Sequence, residues 1–211
     1  MVGRDRRAAH AGRLMWEDRY SASDDYLFGT APAAVLTDNP WLVTSGASAL
    51  CVADGEGRNS VHLAAQGMVA TSFDTSQTAV KRAQDLARDA GVTISAHLSD
   101  WDSWDWTVQY DMVAGIFIQF AAPDFQARQF ATMHSALRAG GRILLHGYRP
   151  EQVGRGTGGP PNVENMYTEA LLRDAFAGWQ IERCASYERD QRSGSGHVGQ
   201  AALIDFVARK P

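Results

Sequence analysis

Ser48-Ala49-Leu50-Cys51-Val52-Ala53-Asp54-Gly55-Glu56-Gly57-Arg58-Asn59 is the stretch on which the fold turns. It reads as a short apolar strand, a glycine-punctuated turn, and the start of a helix that carries Val61, Leu63 and Ala64 inward until Gly67 ends it. A turn of this kind lets a ligand approach the backbone, and the helix N-terminus behind it favours an anionic group.

Outward from that loop the pattern repeats. Met68 to Phe73 predicts a second strand, and Asp74-Thr75-Ser76 supplies turn and N-cap chemistry for a helix from Gln77 to Ala90, closed by Gly91. Val92 to Leu98 predicts a third strand ending at Ser99-Asp100, followed by the tryptophan-rich loop Trp101 to Trp106. Asp111 to Phe120 is unbroken in its apolar character, as a strand covered on both faces should be. Pro123 suits a first helical turn, and Phe125, Phe130, Met133 and Leu137 follow at near-helical spacing. Ala139-Gly140-Gly141 stops that helix before a fifth strand, Arg142 to His146.

The last third is different. A Gly/Pro loop from Arg149 to Pro161 and a short helix from Thr168 to Phe176 lead to two β-rich stretches, Gln180 to Tyr187 and Val198 to Ala208. Asp190-Gln191-Arg192-Ser193-Gly194-Ser195-Gly196 between them is hairpin chemistry, not a crossover helix. The expected fold is α/β: a doubly wound, Rossmann-like, seven-stranded sheet, mostly parallel, closing with an antiparallel C-terminal hairpin. One domain over 1–211 is expected, with 41–211 as the core and 1–40, rich in Trp16, Tyr20, Tyr26 and Phe28, as a cover over the sheet's edge.

Composition narrows the partners. A net charge of -4 arises from 24 acidic against 20 basic residues, mixed along 211 positions, so no phosphate-backbone or anionic-membrane track is laid out. The basic stretch at Arg4, Arg6, Arg7 and Arg13 is not followed by the apolar run of a secretory signal, and Met112 to Ala122 is too short to span a bilayer. These features point to a cytoplasmic protein without nucleic-acid or membrane partners. Cys51 and Cys184 each lie in a strand-like run and read as buried thiols. The six histidines show no H-x-x-x-H pairing and neither cysteine has a C-x-x-C partner, so no metal site is expected.

A dinucleotide site would want G-x-G-x-x-G, but Ser60 stands where the third glycine belongs. Asp54 and Glu56 beside the turn would repel a pyrophosphate, yet suit a ligand bearing an ammonium and a sulfonium. Those charges match S-adenosylmethionine. Asp74, closing the second strand, can accept hydrogen bonds from ribose hydroxyls; Asp100, closing the third, can accept from an adenine amino group, with Trp101 offering a stacking face. The plainer readings are turn chemistry for Asp74, a solvated loop acid at Asp100 and tryptophans that pack the loop.

Trp16-Glu17-Asp18-Arg19-Tyr20 with Tyr26-Leu27-Phe28-Gly29, Gly55-Glu56-Gly57-Arg58-Asn59, Phe73-Asp74-Thr75-Ser76, Tyr110-Asp111-Met112-Val113 through Phe117, and Leu137-Arg138-Ala139-Gly140-Gly141 together resemble the class I S-adenosylmethionine-dependent methyltransferases, over nearly the whole chain. Within that class the sequence is similar to the small bacterial tellurite-resistance and thiopurine methyltransferase-like group. The resemblance implies a cofactor site made of Trp16, Tyr26, Phe28 and Gly29 folded over from the N-terminus, Asp54, Gly55, Glu56, Gly57, Arg58 and Asn59 in the glycine motif, Asp74, Thr75 and Ser76 in the ribose motif, and Ile116 and Phe117 at the end of the fourth strand. Arg155-Gly156-Thr157-Gly158-Gly159-Pro160 and Ser195-Gly196-His197-Val198-Gly199 resemble marks of one bacterial subgroup. One departure is Cys51, which stands where the wider superfamily has an acid; Asp54 is expected to take over the contact to the cofactor's amino group.

Methyl transfer from a sulfonium is an in-line displacement, so alignment matters most. A soft anion needs no general base, whereas a hydroxyl or protonated amine does. His197 is the candidate for assisting deprotonation, against a plain hydrogen-bonded loop histidine. Tyr148, Arg149, Arg155 and Tyr167 are the candidate acceptor-binding residues, against solvated arginines and packed tyrosines. The expected function is methyl transfer to a small-molecule nucleophile, a thiol or other chalcogen, by a monomer or homodimer. The alternatives are a non-catalytic S-adenosylmethionine-binding sensor or scaffold, and an NAD-type oxidoreductase, which Ser60, the acidic loop and the terminal hairpin disfavour.

Overall fold

A computed structural model describes residues 14–211; the basic stretch with Arg4, Arg6, Arg7 and Arg13 lies outside the described residues. The elements run α1 (helical over 14–21), α2 (Ala34–Asp38), β1 (Ser48–Val52), α3 (Arg58–Ala65), β2 (Val69–Asp74), α4 (Gln77–Asp89), β3 (Ser95–Leu98), β4 (Tyr110–Ile116), α5 (Pro123–Ser135), β5 (Leu137–Tyr148), α6 (Glu169–Ala175), β6 (Gln180–Ser193) and β7 (His197–Arg209). They build one seven-stranded sheet in the order β3-β2-β1-β4-β5-β7-β6. The first five strands are parallel, and β7 lies antiparallel between β5 and β6.

The two-residue period of the strands sorts the core into two layers. Leu50, Val52, Val113, Ile143, Leu145, Ile204 and Phe206 face one side, where Phe130 and Met133 of α5, Leu172 of α6 and the tryptophan loop cover them. Ala49, Cys51, Ala70, Met112, Ala114, Leu144 and Val207 face the other, under Leu63 of α3, Val35 and Leu36 of α2, and Leu42. Cys51 and Cys184 are unpaired thiols. Among the described residues no helix is long and apolar enough to cross a membrane.

Several boundaries differ from the sequence expectation. β3 begins only at Ser95. β4 stops at Ile116, four residues before Phe120, because Phe117 turns into the left-handed region at φ +59°. β5 starts at Leu137, so Ala139-Gly140-Gly141 is a bulge-like irregularity inside the strand's span, not a stop before it. β6 continues to Ser193, which leaves only Gly194-Ser195-Gly196 for the hairpin turn. In the described part of the N-terminal segment, Glu17 of α1 accepts from Ser76 Oγ (2.6 Å) and Thr78 Oγ1 (2.5 Å), so α1 seals the start of α4 at the carboxyl ends of the strands, while Asp38 pairs with Arg189 of the edge strand β6.

Candidate active site

Strand order reverses between β1 and β4, and the crevice outside their carboxyl ends is where an open α/β sheet binds ligands. The chain leaves β1 through three left-handed positions, Ala53 (φ +48°), Gly55 (+60°) and Gly57 (+84°), which fold Asp54-Gly55-Glu56-Gly57 tightly under the N-terminus of α3. Gly57 is forced by packing as well: a Cβ there would lie 2.5 Å from the Ala83 Cβ of α4. Asp74, at the end of β2, ties the loop down. Its Oδ2 accepts from Gly55 N (2.9 Å) and its Oδ1 from Ser76 N (3.0 Å). Thr75 lies between, half-buried, and Ser76 Oγ caps α4 by accepting from Ala79 N.

The two loop acids have separate fates. Glu56 is spent inside the protein: Oε1 pairs with Arg82 at 2.7 Å and Oε2 accepts from Leu27 N at 2.8 Å, so it clasps the N-terminal segment. Asn59 does the same through Oδ1, which accepts from Ala33 N. Asp54 accepts from Ser60 N at 3.3 Å and forms no ion pair among the described residues; burial pushes its carboxyl up to about 6, against hydrogen bonds from Ser60 and Asn59. An unpaired acid in that position suits a cationic ligand group. Arg58 is its counterpart. The guanidinium is buried, donates to Phe28 O (3.1 Å), and has no carboxylate within ion-pair distance among the described residues. Burial holds its pKa below the ordinary value although Asp54 opposes the shift.

Beyond Arg58 the walls are aromatic. His197, at the start of β7, sits 4.5 Å from Phe28, 4.4 Å from Phe117 and 5.7 Å from Tyr148, measured between rings. It is 7 % exposed and its Nδ1 has no hydrogen-bond partner among the described residues. Burial, and then the Arg58 charge, pushes the imidazole down to about 3, so at neutral pH it is uncharged. Glycine motifs close this box because side chains would not fit. A Cβ on Gly158 would lie 2.7 Å from the Tyr148 hydroxyl, and Leu27 O accepts from both Ser195 N and Gly196 N at the hairpin tip. Gly29 (φ +68°) packs backbone to backbone against Gly194.

Several expected site residues lie elsewhere. Asp100 Oδ1 accepts from Asp102 N, Ser103 N and Ser103 Oγ, which is the turn reading. Trp101 is buried against Phe73, Trp106 and Phe125, with Nε1 donating to Thr132, so its faces are taken by the core. Tyr167 is buried on the α5 side against Phe130. Arg155 pairs with Glu188 (2.6 Å) and reaches Gln200, which pins the glycine loop to β6 and β7. Arg149 pairs with Glu151. Tyr26 donates to Arg82 O, and Trp16 stacks on Tyr20 at 5.7 Å. Two residues were missed. Tyr20, whose hydroxyl lies against Gly55, and Gln119, whose amide holds the Tyr148 backbone at both N and O, stand at the site. The motif ending in Tyr20 was visible in the sequence; nothing local marks Gln119.

Residues 49–141, which hold β1 to β4 and the glycine loop, match the family model described as a methyltransferase domain. That stretch is similar to a methyltransferase domain. S-adenosylmethionine is the cofactor of such a domain, and the unpaired Asp54 and the Asp74-anchored loop fit its charges and hydroxyls. No curated protein sequence matches the chain. The chain shares its fold with a protein solved in connection with the conversion of a disulfide bond into a thioacetal group during echinomycin biosynthesis (19 % identity, TM-score 0.76, covering 94 % of this chain and 92 % of that one). It is also similar to TehB from Haemophilus influenzae (18 %, 0.71, 93 % and 67 %) and to the N-methyltransferase NodS from Bradyrhizobium japonicum WM9 in complex with S-adenosyl-L-homocysteine (15 %, 0.71, 94 % and 98 %).

Proposed function

We propose that this methyltransferase alkylates a small-molecule acceptor that arrives as a soft anion, a thiolate or another chalcogen anion, in the box between the N-terminal cover and the β6–β7 hairpin. The reading rests on one observation: a buried guanidinium with no carboxylate partner among the described residues, Arg58, beside a buried uncharged His197. A buried cation calls for an anion, and an imidazole at about 3 is too weak a base to strip a hydroxyl or an ammonium. S-adenosylmethionine supplies the activated methyl group. Asp54 holds the ammonium, Asp74 the ribose hydroxyls, Phe28 and Phe117 exclude water, and His197 Nδ1 accepts from any proton left on the acceptor. Cytoplasmic location and action as a monomer or homodimer belong to the same reading.

A panel of small thiols, selenols, amines and alcohols, scored by S-adenosylhomocysteine release, tests it. Thiols and selenols should turn over, with rates rising through the acceptor's own pKa; preference for amines or alcohols would overturn the reading, and binding without any turnover would favour the sensor alternative. His197→Ala should lower kcat/KM for the acceptor about 10- to 100-fold and leave the shape of the pH profile in place. A basic limb that vanishes with the substitution would make His197 the base after all.

Asp54 gives a proton signature. An ammonium beside it favours the ionised carboxylate, so the bound state holds fewer protons than the free one. S-adenosylmethionine binding should therefore release a proton near pH 6 and weaken as pH falls from 7 to 5, through the raised value of about 6. Calorimetry in buffers of different ionisation enthalpy reads the proton count, and a count of zero at pH 6 removes Asp54 from the ammonium contact.

A further inference from the structure

Four side chains at the carboxyl end of β5 take no part in the chemistry above. His146 Nδ1 lies 2.8 Å from Asp205 Oδ1 across the β5–β7 pair. The same oxygen accepts from the Tyr187 hydroxyl of β6 (2.9 Å), and Oδ2 accepts from Arg183 Nε (2.9 Å). His146 and Asp205 are each 1 % exposed. Burial pushes the Asp205 carboxyl up, but the His146, Tyr187 and Arg183 hydrogen bonds outweigh it and hold the group below its ordinary value. An ionised Asp205 can only accept, so the imidazole proton sits on Nδ1 and the ring plane is set by the carboxylate.

A buried ionic cluster is a poor way to stabilise a sheet, since apolar residues of similar volume do as well or better. One step along the same face, β5 and β7 carry Leu144 and Val207. What distinguishes the position of His146 is its neighbour. Its ring meets Phe117 edge to face, 4.7 Å between centroids, and its carbonyl oxygen accepts from Phe117 N at 2.8 Å. Phe117 is held at φ +59°, a backbone region that a bulky residue enters only when its surroundings impose it. The Phe117 ring in turn meets His197 at 4.4 Å. Contacts therefore run unbroken from Arg183 and Asp205 through His146 and Phe117 to His197.

We propose that His146, oriented by Asp205, is a positioning residue for the acceptor side of the site: it holds Phe117 in its left-handed conformation and thereby fixes the place of His197. The inference rests on His197 facing the acceptor, as proposed above, but its first test needs no acceptor. His146→Phe keeps a ring against Phe117 and loses the bond to Asp205; Asp205→Asn keeps the His146 ring and weakens what orients it. With S-adenosylhomocysteine bound, the His197 ring resonances should move in both variants, while those of His134 on α5 stay in place. Affinity for S-adenosylhomocysteine should change less than kcat/KM for an acceptor from the panel, which should fall about tenfold, mostly in KM. His197 resonances unchanged in either variant would overturn the proposal, as would a loss of cofactor affinity in step with thermal stability, which marks a purely structural cluster. Because the resonance arm is independent of turnover, it can succeed or fail even where the acceptor class proves wrong.

Discussion

Gly57→Ala is expected to destabilise the protein by about 2–4 kcal/mol, the sum of a left-handed backbone cost and a forced overlap in a packed interior. The φ of +84° disfavours any L side chain, and the new Cβ would sit 2.5 Å from Ala83 Cβ and 2.8 Å from Ala83 Cα. The obstruction is a helix backbone, so no rotamer relieves it; α3 and α4 must move apart. Urea denaturation followed by circular dichroism reads the change in midpoint at constant slope. Because the displaced turn is the one that carries Asp54 and Gly55, cofactor affinity should fall with stability. A loss under about 1 kcal/mol would mean that α4 yields far more easily than close packing allows.

The second large effect is on the cofactor. Asp74→Asn removes a charge of ordinary size and shape, yet it faces two backbone N–H donors, from Gly55 and Ser76, with only one remaining acceptor oxygen. One of those N–H groups then meets an amide NH2 in a buried place, at a cost of about 1–3 kcal/mol, and the ribose hydroxyls lose a charged acceptor. Affinity for S-adenosylmethionine should fall about 30- to 100-fold, whereas Asp100→Asn, in the neighbouring turn, should change it less than threefold. Titration calorimetry with both variants separates them. Equal losses would return Asp100 to the cofactor site; no loss in Asp74→Asn would remove Asp74 from it.

Much of this was legible along the chain. The glycine loop, the alternation of apolar runs with helical periods, and the closing hairpin all depend on residues near each other in sequence, and backbone propensity and side-chain period report on such neighbours directly. Asp74 could be placed at the end of β2 for the same reason, and the glycines at 158, 194 and 196 could be recognised as a motif although not as the means of close approach.

What the sequence by itself determined, then, is the order of strands and helices and the glycine loop that is the candidate cofactor site. The tertiary structure decided which polar side chains remain available there. Glu56 and Arg155 meet Arg82 and Glu188, and Trp101 and Tyr167 enter the core, whereas Arg58, Phe117 and His197 converge from three separate elements. The reason is physical: whether a charge is neutralised or a ring is covered depends on partners brought together by strand register and by the packing of the N-terminal cover. Those partners are tens to more than a hundred residues away, and no local pattern encodes them.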